Sequence, residues 1–357
     1  MNEAGAGGGQ RALTEEASVS IDAVLKEMHG YVANARRHMT SAFDELAESW
    51  QTSPVRDVVH YALDEPGKMI RPTITLAACQ AVGGDPEMFG RVAAGIEYGH
   101  LASLMHDDLI DEDATRRRIP SVWNAFGVPS AVIAGDLLLF TAFHALACQQ
   151  GVPAERIVRT FEAVTRSGVD ACFGTSLEMA LAGNISISTE TYLKMAAGKT
   201  GAVLRGCSEG GAVIGGGSPR QIASLRDYGE DLGVAFQIID DVLPYESDEE
   251  TMGKPVVSDL RNRRPTLPVL LARDECTEDE RDFLETVYST GIGDGPAAEA
   301  AHHRMRAVLR RTGALAGARE MADEYCASAL DSLAGLRDNA GVRLLRSLVH
   351  LARDRRA

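Results

Sequence analysis

The sequence predicts an all-α protein, because both its composition and the spacing of its apolar residues favour helices. Hydrophobic residues make up 45% of the 357 positions and aromatic residues only 5%, so the core should consist mainly of Ala, Leu, Val and Ile. Such a composition suits packed helices better than a β-sandwich, whose strands prefer β-branched and aromatic side chains. Apolar residues recur every three or four positions, as amphipathic helices require. Alternation is confined to residues 184–188, which we expect to form a loop.

Helix starts are marked at three places. Asp85 followed by Pro86 is typical of an N-cap with proline at the first helical position. Ser218 and Thr277 are each followed three residues later by Gln or Glu, which is the pattern of a capping box. These signals predict a helix beginning close to each of the three positions.

One large domain accounts for most of the chain. No internal repeat and no linker rich in Pro, Gly or Ser follows about residue 25, so we expect a single helical domain over residues 21–357. Residues 1–20 are expected to be a disordered extension, since the chain starts without the basic and apolar segments of a signal peptide. The most apolar stretch, residues 131–148, is shorter than the roughly 20 residues of a membrane span and contains Asp136, so we expect a buried helix.

Charge and cysteine content narrow the functional class. With 36 Lys and Arg against 51 Asp and Glu, the formal charge is −15, which argues against general nucleic-acid binding. No two of the six cysteines form a CxxC pair, and their wide spacing in apolar stretches indicates buried free thiols in a reducing cytoplasm. We therefore expect a soluble cytoplasmic protein.

The first group of residues that carries chemistry is an aspartate cluster, Asp107, Asp108 and Asp111. On a helix, Asp107 and Asp111 lie one above the other on one face, where bare like charges cost roughly 0.2–0.5 kcal/mol. A cation reverses the sign, and carboxylate oxygens completed by water and phosphate are typical of Mg²⁺ sites. A solvated acidic face is the alternative, although apolar residues flank the cluster on both sides.

A second aspartate pair, Asp240 and Asp241, follows an apolar run, where an uncompensated charge is expensive. The two pairs can face each other across a helical bundle, with a diphosphate and bridging Mg²⁺ ions between them acting as Lewis acids. Cationic residues accompany both pairs: Lys68, Arg71, Arg116, Arg117, Arg118, Lys199 and Lys254. Each alone is more often a surface residue, but their joint occurrence predicts phosphate binding.

Together these residues resemble the motifs of the trans-type polyprenyl diphosphate synthases. The resemblance runs from about Val55 to the C-terminus and rests on six motifs in order: GKxxRP from Gly67, HxxxxxHDDxxD followed by an arginine pair, Gly135-Asp136, Lys199-Thr200, FQxxDD from Phe236, and GKxxxSDL at 253–260. It implies a single large bundle of mostly antiparallel helices around a deep central cavity, and usually a homodimer. The implied substrates are isopentenyl diphosphate and an allylic diphosphate.

Carried over by position, the resemblance assigns a role to each site residue. It implies that Asp107 and Asp111 hold two Mg²⁺ ions on the allylic diphosphate and that Asp240 holds a third, supported by Asp108 and Asp241. The implied cations for the same diphosphate are Arg116, Lys199 and Lys254. The isopentenyl diphosphate site corresponds to Lys68, Arg71, His100 and Arg117, and the reaction centre to Thr200 and Gln237. The implied reaction is ionisation to an allylic cation, attack by the isopentenyl double bond and loss of a proton to the released diphosphate.

Product length in this family depends on the side chains five and four residues before the first aspartate. These are Ala102 and Ser103, both small. Large aromatic residues there resemble the short-chain enzymes, since they close the floor of the pocket. Small ones imply a product of about twenty carbons or more, unless another helix blocks the pocket.

The second aspartate motif departs from the family pattern DDxxD, because its last position is Pro244. Proline cannot ligate a metal and lacks an N–H group, so the helix is predicted to kink or end there. The first aspartate, Asp240, remains, and we expect weakened rather than absent activity. Glu246 or Asp248 would be positioned in sequence to compensate.

Two other functions stay open from the sequence. A class I terpene cyclase, or a non-standard prenyl coupling enzyme, shares the helical bundle and the first cluster. The cyclase pattern requires a hydroxyl residue where Pro244 stands, and it gives GKxxRP no substrate to bind. A non-catalytic partner subunit is opposed by the intact first cluster. The arginines near the C-terminus, Arg353, Arg355 and Arg356, are expected to be solvated.

Overall fold

The computed structural model describes residues 21–65, 67–246, 257–293 and 295–355. Their helices are α1 (Ile21–Leu46), α2 (Pro54–Leu63), α3 (Ile70–Ala81), α4 (Gly90–Ile110), α5 (Val122–Phe126), α6 (Val128–Ala147), α7 (Ala154–Leu181), α8 (Thr189–Ala196), α9 (Ala202–Ile214), α10 (Pro219–Glu246), α11 (Ser258–Arg261), α12 (Leu267–Arg273), α13 (Glu278–Thr290), α14 (Pro296–Arg311), α15 (Ala314–Leu333) and α16 (Ala340–Arg353). The short elements are two 3₁₀ turns (Glu48–Trp50 and Pro86–Phe89), a π-turn (Ala197–Gly201) and a hairpin of β1 (Thr115–Arg116) and β2 (Ile119–Pro120). The all-α prediction is confirmed. The predicted extension over 1–20 lies outside the described residues, as do Lys254, Asp248 and Arg356.

Helix α9 lies at the centre of the bundle and packs against α3, α7 and α10. On one side α4 packs against α1 and α6, and on the other α10 packs against α15. Small residues permit the close approach: a Cβ at Gly211 of α9 would lie 2.1 Å from the Thr75 carbonyl oxygen of α3. The buried core is mainly aliphatic, as expected, although its largest fully buried side chains include five tyrosines: Tyr98, Tyr192, Tyr228, Tyr245 and Tyr288.

Two of the three predicted helix starts have the expected form. Thr277 and Glu280 form a capping box at the start of α13. Ser218 and Gln221 exchange the equivalent bonds before α10, at 2.9 and 3.4 Å. Asp85 caps a 3₁₀ turn instead of an α-helix, and this turn leads into α4. Residues 184–188 form a loop, as predicted.

Helix α6 contains the most apolar stretch, and it is only half buried. Leu138 and Leu146 face the core, whereas Ile133 and Phe140 are 58% and 69% exposed. The expectation of a buried helix is therefore wrong for one face. Among the described residues α6 is the one helix long and apolar enough to cross a membrane, and 44% of its most apolar window is buried inside the protein.

The cysteines are free thiols, as predicted, but they are not all buried. Cys79, Cys207 and Cys326 lie in the core, while Cys172 on α7 is exposed. Burial raises the pKa of Cys79 to about 12, so this thiol stays protonated and unreactive.

Pro244 does not end its helix, because α10 continues to Glu246. Pro244 is buried, and its carbonyl oxygen accepts a hydrogen bond from His302 Nε2 at 2.9 Å. The ring of His302 also stacks on Tyr245, with the centroids 5.3 Å apart. The prediction of a helix end is wrong, since packing from α14 holds the last turn in place; a kink stays a prediction. Glu246 is paired with Arg319 at 2.6 Å.

Candidate active site

The two aspartate pairs line one cavity of about 220 Å³. Asp107 and Asp111 reach it from the C-terminal end of α4, and Asp240 and Asp241 from α10. The other polar residues in its wall are Asp113, Arg116, Glu178, Tyr192, Lys199, Gln237, Ser258, Asp259, Arg264 and Thr266. The structure thus brings residues more than a hundred positions apart into one charged cavity.

Helix geometry stacks Asp107 and Asp111 at the end of α4. The backbone N–H of Asp111, which caps the helix, donates to the Asp107 carbonyl oxygen at 2.8 Å, so the two side chains project from successive turns. The negative end of the helix dipole lies here and adds to their mutual repulsion. Burial raises the pKa of Asp107, although the nearby charge of Lys199 lowers it. The arrangement favours a bound cation.

Asp108 has a different environment from its neighbours in sequence. It is 3% exposed, and Arg116 Nε on strand β1 donates to its carboxylate at 2.8 Å. Burial raises the pKa of Asp108, and the hydrogen bond from Arg116 opposes that rise. Asp108 therefore holds the Arg116 guanidinium at the edge of the cavity.

The hairpin after the first cluster turns on Arg117 and Arg118. Both residues have positive φ angles, 52° and 70°. Two-residue hairpin turns of this kind favour Asn-Gly, because glycine adopts positive φ without steric cost. The arginine at position 118 is therefore strained.

The two aspartates of the second pair, Asp240 and Asp241, differ in burial. Asp241 is 5% exposed and accepts hydrogen bonds from the Tyr192 hydroxyl at 2.7 Å, Gln237 Nε2 at 3.0 Å and the Leu267 N–H at 3.3 Å. Burial raises the pKa of Asp241 to about 7. Asp240 also lines the cavity, and its side chain is 35% exposed, so it is the more accessible of the pair to a ligand.

Two charged side chains in the cavity wall, Glu178 and Arg264, were not found from the sequence. Glu178 of α7 is 7% exposed and accepts a hydrogen bond from Lys199 Nζ at 2.6 Å. Arg264 lies 3.6 Å from Glu178 and 3.5 Å from Asp259. It also donates a hydrogen bond to Asp111. Burial opposes its charge, but the neighbouring carboxylates raise the pKa of Arg264, which therefore stays cationic. A lone carboxylate in an apolar segment of α7 was the only sequence signal.

Lys199 and Thr200 lie on the π-turn between α8 and α9. π-turns are frequent at functional sites because the extra residue redirects side chains. The Thr200 hydroxyl donates to Gln237 Oε1 at 2.6 Å, which fixes the amide whose nitrogen bonds Asp241. A Cβ at Gly174 would lie 2.2 Å from the Lys199 backbone nitrogen, so only glycine lets α7 pass this close.

The second cationic group is formed by residues predicted for isopentenyl diphosphate: Arg71 and Arg117 lie near His100, which is two helical turns before Asp107 on the same face of α4. Arg71 Nη1 and His100 Nε2 lie 2.9 Å apart. Burial and the nearby arginines lower the pKa of His100 well below its usual value, so the ring is neutral. Arg117 donates to the Glu65 carbonyl oxygen and packs over Gly67, where a Cβ would lie 2.4 Å from its guanidinium.

Lys68 and Arg355 lie near the second aspartate pair. Burial lowers the pKa of Lys68, as does the charge of Arg355, while Asp240 raises it. Arg355 Nη1 donates to Asp240 Oδ1 at 2.7 Å, and its guanidinium lies 5.0 Å from the centre of the Phe236 ring. The expectation that Arg355 is solvated is therefore wrong, because a cavity carboxylate holds it.

The two residues predicted to set product length differ in exposure. Ala102 is 3% exposed, whereas Ser103 is exposed and its hydroxyl donates to the His100 carbonyl oxygen at 2.8 Å. A larger side chain at position 103 therefore has open space to enter.

Comparison with known proteins agrees with this geometry. The family model described as Polyprenyl synthetase matches residues 52–304, which is most of the chain. The chain belongs to the polyprenyl synthetase family. Among curated relatives, this synthetase is 31% identical to the geranylgeranyl diphosphate synthase of Sulfolobus acidocaldarius over 85% of its own length and 92% of the relative's. It is also 31% identical to the octaprenyl diphosphate synthase of Escherichia coli, over 84% and 90% of the two chains.

Solved structures give the same result. A polyprenyl synthase from Caulobacter crescentus, complexed with calcium and isoprenyl diphosphate, has a TM-score of 0.83 at 29% identity, covering 96% of this chain and 100% of that one. A geranylgeranyl pyrophosphate synthetase from Pyrococcus horikoshii has a TM-score of 0.84 at 28% identity, covering 94% and 99%. The expectations of an isoprenoid synthase fold and of a polyprenyl diphosphate synthase are confirmed, and none of these proteins is a cyclase.

Proposed function

We propose that this synthetase condenses isopentenyl diphosphate with an allylic diphosphate in a Mg²⁺-dependent reaction, giving a linear trans-polyprenyl diphosphate of about twenty carbons or more. The observation that carries the proposal is the convergence of Asp107, Asp111 and Asp240 on one cavity with Lys199 and Arg264. Carboxylate oxygens are suitable ligands for Mg²⁺, and the positive side chains of Lys199 and Arg264 are suitable partners for phosphate oxygens.

The donor set fits Mg²⁺ held jointly with a substrate. Within the described ranges no three His, Cys, Asp or Glu side chains lie close enough to hold a metal by themselves. Mg²⁺ is usually bound by one or two carboxylates plus substrate phosphates, so two separate carboxylate positions facing a diphosphate suffice. Asp107 and Asp111 would hold metal on one side of the diphosphate, and Asp240 on the other. When bound, the metal neutralises charge on the departing diphosphate.

The protein's own cations would complete the binding of the allylic diphosphate. Arg116 is fixed by Asp108, and Lys199 is fixed by Glu178, so both are ordered before the substrate arrives. Preorganised charges stabilise developing negative charge without reorganisation as the C–O bond breaks. Lys254 is proposed as a third cation by its place in the family motif.

The isopentenyl diphosphate would bind the second cationic group, formed by Lys68, Arg71, His100 and Arg117. A neutral His100 donates one hydrogen bond without adding charge, while the guanidinium groups bind phosphate oxygens bidentately. Thr200 and Gln237, which share a hydrogen bond of 2.6 Å, would lie between the two diphosphates. Binding of the two diphosphates on either side of these residues would direct the isopentenyl double bond towards the allylic carbon.

Product length is proposed from the small side chains Ala102 and Ser103, which by the family resemblance would leave room for a longer chain below the first cluster. The named relatives make products of different lengths, so length comes from these side chains and not from the family. A homodimer is supported by an exposed apolar face: Val132, Ile133, Leu139 and Phe140 on α6, and Val169 and Phe173 on α7. Such a patch on a folded chain marks an interaction surface. A soluble, cytoplasmic dimer that covers this face is proposed.

An incorporation assay tests the function directly. Purified protein with Mg²⁺, labelled isopentenyl diphosphate and an allylic primer should give linear prenyl diphosphates, identified by chromatography after dephosphorylation. Asp107→Ala should abolish incorporation, while Asp227→Ala on the surface of α10 should not. Cyclic hydrocarbons formed from a supplied prenyl diphosphate, with no label incorporated, would contradict the proposal in favour of a cyclase.

A further inference from the structure

A buried carboxylate outside the catalytic cavity has no role in the reaction described so far. Glu97 lies on α4, one helical turn before His100, and only 1% of it is exposed. Its Oε2 atom is buried and makes no hydrogen bond within the described structure. Burying an ionisable carboxyl with an unsatisfied oxygen is costly, so some favourable interaction must compensate.

The compensating charges are the guanidinium groups of the isopentenyl diphosphate site. Burial raises the pKa of Glu97 to about 7, and the positive charges of Arg71 and Arg117, followed by Arg36, oppose that rise. Arg71 also has a buried Nε atom without a hydrogen-bond partner in the described residues. A buried acceptor and a buried donor thus lie unsatisfied in the same group.

The three arginines whose charges act on Glu97 come from separate elements. Arg36 comes from α1, Arg71 from α3, and Arg117 from the turn of the β-hairpin. Burial lowers the pKa of Arg117 and the charge of Glu97 raises it, while the charges of Arg116 and Arg71 lower it further, so the guanidinium groups repel each other. Without an anion between them, the arginines would be expected to separate before substrate binds.

We propose that Glu97 is a positioning residue whose buried carboxylate holds Arg71 and Arg117 together as one binding site for the diphosphate of isopentenyl diphosphate. This inference rests on the proposed function. Glu97 itself does not touch the substrate; it supplies the negative charge that lets two arginines from different elements converge. When the diphosphate binds, it adds a second anion to the same guanidinium pair.

The direction in which Glu97→Gln changes the affinity for the diphosphate distinguishes a positioning role from a simple electrostatic effect. If Glu97 merely added negative charge near the site, replacing it with neutral Gln would strengthen diphosphate binding. If Glu97 holds the arginines in place, the same replacement weakens it. The two explanations therefore predict opposite changes.

The experiment compares Glu97→Gln with Glu97→Asp and with a control, Glu45→Gln. Glu45 of α1 pairs with Arg91 of α4 at 3.3 Å but is exposed and far from both sites. We expect Glu97→Gln to raise the KM for isopentenyl diphosphate about tenfold, with the KM for the allylic diphosphate unchanged within about twofold. Glu97→Asp should recover part of the loss, and Glu45→Gln should match the wild type.

A pH series gives a readout that a purely structural role would not produce. The KM for isopentenyl diphosphate in Glu97→Gln is divided by the KM in the wild type at each pH. Titration of the substrate affects both values equally and therefore drops out of this ratio. The other charged or titratable groups facing Glu97 are the three arginines and His100, whose ring is neutral because burial lowers its pKa. The ratio should fall towards one as pH drops below about 7, since the wild-type carboxyl then becomes neutral too.

Calorimetric titration of isopentenyl diphosphate into each folded variant separates the two possible failures. If the wild type neither binds isopentenyl diphosphate nor incorporates it, the proposed function is wrong. If the wild type binds but Glu97→Gln binds equally or more tightly, the positioning role is wrong while the function stands. Unfolding curves of each variant confirm that the proteins compared are folded; if Glu97→Gln does not fold, the affinity of Glu97→Asp for isopentenyl diphosphate, compared with that of the wild type, decides between the same outcomes.

Discussion

Arg264 is expected to occupy a cation position among three carboxylates. The variant Arg264→Gln measures how much this positive charge contributes to the free energy of unfolding. Arg264 donates to Asp111 and lies 3.6 Å from Glu178 and 3.5 Å from Asp259. Removing one partner of a fully buried ion pair costs about 3–5 kcal/mol. The Arg264 side chain keeps 19% of its exposure, so water screens part of the charge and a loss of about 2–3 kcal/mol is expected.

Mg²⁺ should reverse much of that loss, because a metal at Asp111 supplies the missing positive charge. A ligand that binds only the folded state stabilises it by about 2.7 kcal/mol at a hundredfold excess over its Kd. The assay is urea unfolding at neutral pH, with and without Mg²⁺, followed by circular dichroism. Mg²⁺ is expected to stabilise Arg264→Gln more than it stabilises the wild type.

Arg205→Gln is a matched control for this measurement. Arg205 also pairs with two carboxylates, Asp170 and Glu230, and its side chain is likewise 19% exposed, but it lies outside the cavity. It should lose similar stability without any added response to Mg²⁺. A loss below about 0.5 kcal/mol in Arg264→Gln, or an equal Mg²⁺ response in both variants, would show that Arg264 does not occupy a cation position.

Three further changes have defined outcomes. Arg118→Gly relieves a positive φ angle in the hairpin turn and should raise the free energy of unfolding by about 1 kcal/mol, read from urea curves; a loss of stability would show that the arginine side chain compensates for the strain. Ser103→Phe should shorten the products, read by chromatography, and unchanged products would place the pocket floor elsewhere. The pKa of Glu97 is raised by burial from 4.5 to about 7, so the folded state holds this proton more tightly than the unfolded chain. This tighter proton binding stabilises the folded state fully below about pH 4.5, and the stabilisation is lost as pH rises to about 7. The free energy of unfolding of the wild type should therefore fall by up to about 3 kcal/mol relative to that of Glu97→Gln across this range. Parallel pH profiles for the two proteins would show that the carboxyl is not perturbed.

The features predicted well from sequence are those that local pattern determines. The capping box at Thr277 and the stacking of Asp107 on Asp111 follow from helix geometry alone. Asp240 could be placed opposite them because two aspartate pairs at the ends of apolar runs require a common neutralising partner. The half-exposed α6 was harder to predict, since a helix that is apolar on all sides has no periodicity to show which face is covered.

The features that sequence could not give depend on contacts between distant elements. Glu178 and Arg264 are single charges without a motif, and each becomes significant only because folding places them beside the first cluster. Arg355 was expected in solvent, since nothing near it in sequence indicates Asp240 as its partner. Pro244 was expected to kink or end its helix; the helix does not end there, because packing by His302 from another helix supports the last turn. In each case the long-range contact outweighs the local preference.

The most direct test is whether Asp107 and Asp240 bind the same diphosphate. Calorimetric titration of inorganic diphosphate in the presence of Mg²⁺ should be made with the wild type, Asp107→Asn, Asp240→Asn and the double variant. If one diphosphate with its metals bridges the two carboxylates, each single variant should lose about tenfold or more in affinity, and the double variant should lose less than the two losses combined. Wild-type affinity in Asp240→Asn, or losses that add without any coupling, would contradict a shared site.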